Sequence, residues 1–531
     1  MAIYFAILLA IIWWVIQQKQ ESVKDYFLAG RNLGWFVIGA SIFASNIGSE
    51  HVVGLAGTAA KSGMVMGHYE LHSWIILLLG WVFVPFYMRS SVFTMPEFLE
   101  RRYSSEARWI LSIISLIGYV LTKVSATVYA GAVVFQTLMG IEFWSGALII
   151  VLLTGAYTIL GGLRAVIYTD ALQAVVLILG SLTISAIGLM KIGGWDNLVT
   201  SVGPGHFNMF LPADHPEFPW LGMVFAPPII GIWYWCTDQY IVQRVLAARN
   251  ETEARRGTIF AGYLKLLPIF LFFIPGLIAF AMVKSGQLNY ESSDQAFPTL
   301  VKELLPAGMR GLVAGGLLAA LMSSLSSVFN SCSTLFTIDI YQKLKPETDE
   351  KKLVLIGRIA TGVVVVSGIL WIPFMKIISG ELYTYLQSVQ AYIAPPIAAV
   401  FLMGIFWERI NSQGALAALI GGFSAGMLRL ILEINKSSLS GIWYSFADLN
   451  FLYFAIFSFL TCTALMILIS LFTPAPDLGK LSGLTYATTV DQDKEASSSS
   501  WDTKDLINSA VIICILVLIL IYFSPIGIAG M

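Results

Sequence analysis

The chain is poor in charge. Only 12% of its 531 residues are Asp, Glu, Lys or Arg, against about 25% in an ordinary soluble domain. That shortage excludes a water-soluble enzyme of two or three domains, and it excludes a disordered chain. A basic surplus is missing too. Lys and Arg number 31 against 32 Asp and Glu, which excludes a nucleic-acid binder. Cysteine is scarce: Cys236, Cys332, Cys462 and Cys514 fall in or beside apolar runs, without metal-ligand spacing and without the pattern of a disulfide framework. The sequence also lacks a metal cluster, a phosphate-cradling glycine loop and a nucleophile–base pair at workable spacing. An enzyme is therefore the least expected class, and no organic cofactor is expected.

What is present is apolar. Hydrophobic residues make up 57% of the chain, which at about 20 residues per span leaves room for 12 to 15 membrane helices. Apolar runs bounded by charge or Gly/Pro clusters predict fourteen. They lie near 2–17, 33–58, 65–88, 106–137, 144–160, 167–190, 218–243, 257–283, 308–341, 356–376, 382–407, 413–432, 450–472 and 506–526. The first begins at Met1 with no charged n-region and no small-residue cleavage site, so it reads as a span and not a signal peptide. Lys and Arg set the orientation. With Arg358 and Lys376, at the two edges of the tenth span, counted with their neighbouring loops, loops after odd-numbered spans hold twenty of them and loops after even-numbered spans hold six. The other five (Arg108, Lys123, Lys265, Arg310, Arg429) lie inside spans. Both termini are thus expected outside. The segment 473–505 has linker character, with Pro474, Pro476 and Ser497 to Ser500, and is expected to tether the last helix without chemistry of its own.

Polar residues at membrane depth are costly and mark function. The second span centres on Ala44-Ser-Asn-Ile-Gly-Ser-Glu-His51. Close packing through small residues explains Gly39, Gly48, Gly54 and Gly57. It does not explain Asn46, Glu50 and His51 together. A broken helix lining a cavity does, because unwound backbone offers carbonyls to a cation. In the ninth span Ala320, Ser323, Ser324 and Ser327 share one helical face, with Ser326 beside them. Such a ladder either back-bonds to its own carbonyls or coordinates a hard cation, and neutral oxygens suit a sodium ion that must be released again. The seventh span holds Trp233-Tyr-Trp-Cys-Thr-Asp-Gln239, with Pro227-Pro228 before it, and reads as an aromatic belt or as a second interrupted helix. Aromatics beside polar groups suit a sugar, whose C–H face packs on a ring while its hydroxyls take hydrogen bonds. Lys265 lies mid-span, where snorkelling to the surface is difficult. Glu70 in the third span and Gln387 in the eleventh, ahead of Pro395-Pro396 and a further expected interruption, complete the set. Lys123 and Asp170 are either site residues or structural ion pairs. His68 and His72, which flank Glu70, can be either. Glu142, Arg108, Arg310 and Arg429 are expected at the interface.

Several runs carry a resemblance. Ala44-Ser-Asn-Ile-Gly-Ser-x-His-x-Val-Gly-Leu-Ala-Gly, Met95-Pro-Glu-Phe-Leu, Tyr168-Thr-Asp-x-Leu-Gln, Trp233-Tyr-Trp-Cys-Thr-Asp-Gln-x-Ile-Val-Gln-Arg, Gly262-Tyr-Leu-Lys, Met322-Ser-Ser-Leu-x-Ser-x-Phe-Asn-Ser and Pro395-Pro-Ile-Ala-Ala-Val-Phe run in order from about residue 26 to 475. Together they resemble the sodium/solute symporter family, most closely its sodium–glucose cotransporter branch. The resemblance implies an all-α integral membrane protein of about 14 transmembrane helices. Its core is a ten-helix inverted repeat (LeuT-like) with two broken helices, the repeats being 33–190 and 218–407. Peripheral helices are then 1–17, two within 413–472, and 506–526. It also implies that Asn46, His51, Glu70, Lys265 and Gln387 bind sugar, with Tyr69, Tyr234 and Trp235 around it and Tyr234 at the inner gate. The carbonyls of Ala44, Ile47 and Ala320 and the hydroxyls of Ser323 and Ser324 match the shared sodium site. Asp170, Ser326 and Ser327 stand where some members hold a second sodium. Glu50 replaces a small residue of the animal transporters. Gly231 and Gln390 replace hydroxyl side chains near the substrate.

These readings converge on sodium-coupled symport of a glucose- or galactose-type hexose at a cell membrane, by alternating access. The partners expected are sugar, sodium and the lipid bilayer. The rivals are a sodium symporter for another polar solute such as myo-inositol, and a sodium- or sugar-responsive sensor or channel.

Overall fold

The computed structural model describes residues 2–17, 28–48, 50–378 and 382–530. Among the described residues there are helices and no strands, apart from one isolated bridge between Leu33 and Ala248. Eleven helices are long and apolar enough to cross a membrane, and the bent pair Trp35–Asn46 and Glu50–Ser62 supplies a twelfth. The shorter Phe143–Ala156 stretch and Ala2–Gln17 stand where the fifth and first spans were expected. Every expected span therefore falls on a helix, and the chain is a multi-pass membrane protein. The fifth and sixth spans share one continuous helical assignment, Phe143–Ile192, so the break expected at 161–166 is not a separate loop.

Burial sorts core from periphery. The most apolar stretch of the ninth span, Gly308–Leu344, is wholly enclosed, whereas only 28% of that stretch is buried in Phe451–Phe472 and Thr503–Tyr522. The enclosed spans carry the small and hydroxylated residues and the outer ones the unbroken apolar runs, as lipid contact requires.

The breaks differ from those expected at the proline pairs. Leu382–Phe406 is one helix with Pro395 and Pro396 inside it. Proline at 396 frees the Tyr392 carbonyl four residues earlier. The twelfth span brings Gly426 directly against that carbonyl, where a side chain would collide, and Gly422 against the Pro396 ring. The neighbouring helix covers the defect, so the span stays straight. Pro227 and Pro228 likewise sit inside Trp220–Gly231. The seventh span breaks lower, at Asp238, whose backbone is extended (φ −81°, ψ 128°) before Gln239–Leu246 resumes.

Two expectations about charge also change. Arg108 and Arg429 are buried within the protein. Arg108 is buried between Asp339 and Glu100, both at 2.6 Å, and Arg429 donates to the Phe446 and Leu449 carbonyls that close its helix pair. The segment 473–505 is docked against the helix ends. Asp493 lies 3.6 Å from Arg89, Ser497 donates to Glu251 at 2.7 Å, Trp501 meets Trp81 edge-on, and Tyr486 N–H donates to the Ile405 carbonyl.

Candidate functional site

The second span breaks where its sequence is smallest. Trp35–Asn46 ends with Ile47 out of helical geometry (φ −78°, ψ 88°), and a wide turn over Glu50–Leu55 starts the next segment at a 55° bend. Similar wide turns occupy Val120–Val124 and Ile232–Thr237. Such turns recur at functional sites because they rotate side chains away from the regular helical stripe. Here they bring Glu50, His51, Lys123, Tyr234 and Trp235 to one narrow cavity.

The ladder of the ninth span meets the break. Ser323 Oγ lies 3.4 Å from the Ala44 carbonyl and Ser324 Oγ 3.3 Å from that of Ser45. A Cβ built on Gly48 would land on Ser324 Oγ, so only glycine permits this approach. Ala44, Ile47, Ala320, Ser323 and Ser324 are all buried. Two carbonyl-bearing residues of the break and two hydroxyls thus converge, an oxygen set of the kind a hard monovalent cation takes.

Asp170, Ser326 and Ser327 are each engaged within the protein. Ser326 donates to the Ser323 carbonyl of its own helix at 2.9 Å, which is the back-bonding alternative. Asp170 accepts from Ser41 at 2.8 Å, Ser45 at 3.0 Å and Ser323. Ser327 pairs with Ser45 Oγ at 3.2 Å. Between them lies Arg244, which the sequence reading had counted with a surface loop. It is fully buried, 3.6 Å from Asp170, and donates to Ser41, Ser327 and the Tyr240 carbonyl. It falls one residue past the expected end of the seventh span at 243, and that boundary hid its depth.

The larger cavity carries the sugar candidates. Glu70 is its centre. It accepts from Lys265 Nζ at 2.6 Å and from the Tyr383 hydroxyl at 2.7 Å, and lies 3.3 Å from His51 Nε2. Lys265 also donates to Asn46 Oδ1 at 2.7 Å, and Asn46 Nδ2 donates to Tyr234 OH at 3.3 Å. Lys265 can reach inward because its helix ends at Leu264, ahead of Pro268. Trp235 and Tyr234 stand edge to face at 4.9 Å, with Lys265 over the first ring and Lys123 over the second. Lys123 pairs with Glu50 at 2.6 Å. Gln387 and Gln390 close the cavity from the eleventh span. Tyr240 packs against Tyr234, and Tyr119, whose hydroxyl donates to Asp238, accepts from the Tyr240 N–H.

Every predicted sugar-site residue therefore borders one space. Five buried polar atoms on it have no partner: Glu50 Oε2, His51 Nδ1, Tyr69 OH, His72 Nε2 and Gln387 Oε1. A buried polar group without a hydrogen bond costs about 1–3 kcal/mol. The four on His51, Tyr69, His72 and Gln387 call for a small ligand rich in hydroxyls, which both donate and accept. Sequence reasoning leaves His72 open, and the structure puts it on the cavity; Tyr383 is the residue that it misses. Tyr383 lies four residues before Gln387, on the same helical face, and that spacing was a usable signal.

The model of the sodium:solute symporter family matches residues 26–422. Sodium/glucose cotransporter 1 of Oryctolagus cuniculus is 40% identical over 90% of this chain and 79% of its own. Sodium/glucose cotransporter 4 of Danio rerio is 38% identical over 90% and 78%. Among solved structures, a Na⁺-coupled sialic acid symporter in a substrate-bound outward-open state aligns with a TM-score of 0.75, at 23% identity over 90% of this chain and 98% of that one. A nucleobase-cation-symport-1 family transporter in a closed conformation aligns at 0.57, with 15% identity over 86% and 97%. These two likenesses identify the fold as the ten-helix inverted-repeat core with broken helices.

Proposed function

This chain belongs to the sodium:solute symporter family, and we propose that it carries a hexose of the glucose or galactose type together with sodium by alternating access. It is a transporter and not an enzyme. The observation that carries the sugar reading is the set of four unpartnered polar atoms, His51 Nδ1, Tyr69 OH, His72 Nε2 and Gln387 Oε1, around a cavity whose charged groups, Glu70 and Lys265, are already paired. A hydroxylated, uncharged solute meets those needs. An organic anion would need a free cation, and both nearby lysines are engaged.

Sodium is assigned to the oxygens of Ala44, Ile47, Ala320, Ser323 and Ser324. Asn46 lies on the backbone between Ala44 and Ile47. Fixing those carbonyls on an ion also fixes the amide that Lys265 and Tyr234 hold, so ion and sugar favour the same arrangement. Coupling requires that shared preference, since a ligand indifferent to the two states shifts neither. Sodium entering from outside stabilises the outward-open form, sugar closes the outer path, and movement of Tyr234 releases both inward. One charge crossing 100 mV supplies about 2.3 kcal/mol, while tenfold accumulation needs about 1.4 kcal/mol. Asp170, Ser326 and Ser327 are the proposed second sodium site, which shares Asp170 with Arg244. We place the chain in the plasma membrane with both termini outside, and take 33–190 and 218–407 as the two repeats.

Labelled hexose uptake into proteoliposomes tests the reading. Accumulation against a gradient is expected with inward sodium and not with potassium. Binding without accumulation would instead mark a sensor or channel. A second solute is favoured by one detail: where the animal transporters carry a hydroxyl, Gly231 leaves room that the His72 ring occupies, with Nε2 unpartnered. Competition by a polyol panel including myo-inositol decides between the two.

A further inference from the structure

Glu50 has no counterpart in the ion and sugar groups assigned above, yet it stands between them. Its Oε1 accepts from Lys123 Nζ at 2.6 Å. Its Oε2 is buried and has no partner, and the residue is 1% exposed. A Cβ built on Gly48 would land on both Glu50 Oε2, at 2.4 Å, and Ser324 Oγ, at 2.2 Å. The two oxygens are therefore near enough to each other to share a hard cation beside the Gly48 backbone. Ser323 and Ser324 also meet the Ala44 and Ser45 carbonyls.

We infer that Glu50 Oε2 is a ligand of the coupling sodium, so that this chain binds its ion with a carboxylate beside the neutral oxygens. The inference rests on the assignment of Ser323 and Ser324 to the ion. It explains why a carboxylate sits buried with one oxygen paired and one bare. Lys123 takes half of its charge, which leaves the ion held by less than a full carboxylate and free to leave. It also makes the link to sugar direct, because Lys123 packs over the Tyr234 ring at 4.8 Å while Tyr234 accepts from Asn46.

The test compares Glu50→Gln with Ser324→Ala by direct binding of radioactive sodium to the purified chain and by the sodium concentration for half-maximal uptake. Glu50→Gln is expected to weaken sodium at least tenfold, with sugar affinity at saturating sodium changed less than threefold. Because the substitution leaves Lys123 without an anion, Glu50→Gln/Lys123→Gln is measured alongside, and the same loss of sodium affinity is expected in a chain with neither charge. If both variants bind sodium within twofold of the parent while Ser324→Ala does not, Glu50 is no ligand and the inference falls alone. If Ser324→Ala also binds as the parent does, the ion-site assignment falls with it. If Glu50→Gln loses sugar affinity at saturating sodium and keeps sodium, Oε2 belongs to the sugar instead, which also overturns the inference.

Discussion

Glu70 and Lys265 give the most exacting test of the cavity. Their charged atoms are 2.6 Å apart and both side chains are at most 2% exposed. At that separation two unit charges attract by about 6 kcal/mol at an effective dielectric near 20. Desolvation offsets part of this, and deleting one member of a buried pair costs about 3–5 kcal/mol. Glu70→Gln strands Lys265 with only Asn46 Oδ1, so a loss near the top of that range is expected. Lys265→Met leaves Glu70 with Tyr383 at 2.7 Å and His51 at 3.3 Å, so its cost is expected to be smaller. Glu70→Gln/Lys265→Met leaves no stranded charge. It is expected to recover at least about 2 kcal/mol of the summed single losses, well beyond the roughly 0.5 kcal/mol within which independent sites add. Denaturant unfolding of the four proteins in micelles gives the cycle, and sugar uptake measured in parallel is expected to be abolished in all three variants. Additive losses within about 0.5 kcal/mol would refute the pairing and with it the arrangement of the cavity.

Gln387→Ala removes an acceptor that has no partner within the protein, so stability is expected to hold within about 1 kcal/mol while sugar affinity falls roughly tenfold, the worth of one hydrogen bond; parent-like uptake would take Gln387 out of the site. Ser326→Ala is expected to lower the charge-to-sugar ratio measured from reversal potentials, and an unchanged ratio removes Ser326 from ion binding. Glu100, on the short helix Met95–Arg102 outside the spans, offers a pH test. Burial pushes its carboxyl up, but hydrogen bonds from Lys343 and Arg108 outweigh that and hold it at about 2. Its folded value lies below the unfolded one, so its contribution to stability is full above about pH 4.5 and is lost as pH falls toward 2. The side chain is partly exposed, which limits the contribution to about 1 kcal/mol or less. The stability difference between the parent and Glu100→Gln is expected to be flat from pH 8 to 5.5 and to shrink below 4.5, and a difference that grows on acidification would refute this.

The spans were legible because lipid demands long apolar runs, and every expected span fell on a helix. The lining of the cavity was legible because Asn46, Glu70 and Lys265 are out of place in such runs. Three features were not. The proline pairs suggested breaks, but whether proline breaks a span depends on what meets the freed carbonyl, and Gly426 is thirty-four residues beyond Tyr392 in sequence. Arg244 looked like a loop residue because helical polarity gives no depth. Ser326 and Ser323 differ by one helical turn and have the same chemistry, yet one back-bonds and the other faces Ala44 and Asp170. That choice is made by the opposing helix, which composition does not reveal.

Gly48 ties these levels together, and its substitution separates geometry from charge. Gly48 does not occupy the left-handed backbone region that favours glycine, so strain does not explain it. The constraint is the space above it, occupied by Ser324 Oγ and Glu50 Oε2. Gly48→Ala must push both away, an overpacking cost of about 1–3 kcal/mol. It removes no charge and deletes no hydrogen-bonding group. Gly362→Ala is the control, since a Cβ at that helical position meets open space. Gly48→Ala is expected to weaken sodium at least tenfold and to weaken sugar with it, because the displaced segment carries Asn46 and His51. Gly362→Ala is expected to transport as the parent does. Gly48→Ala/Ser324→Ala relieves half of the crowding, so it is expected to regain stability without regaining sodium affinity. Parent-like sodium dependence in Gly48→Ala would mean that the break and the ninth span do not meet around an ion, whatever the sugar cavity does.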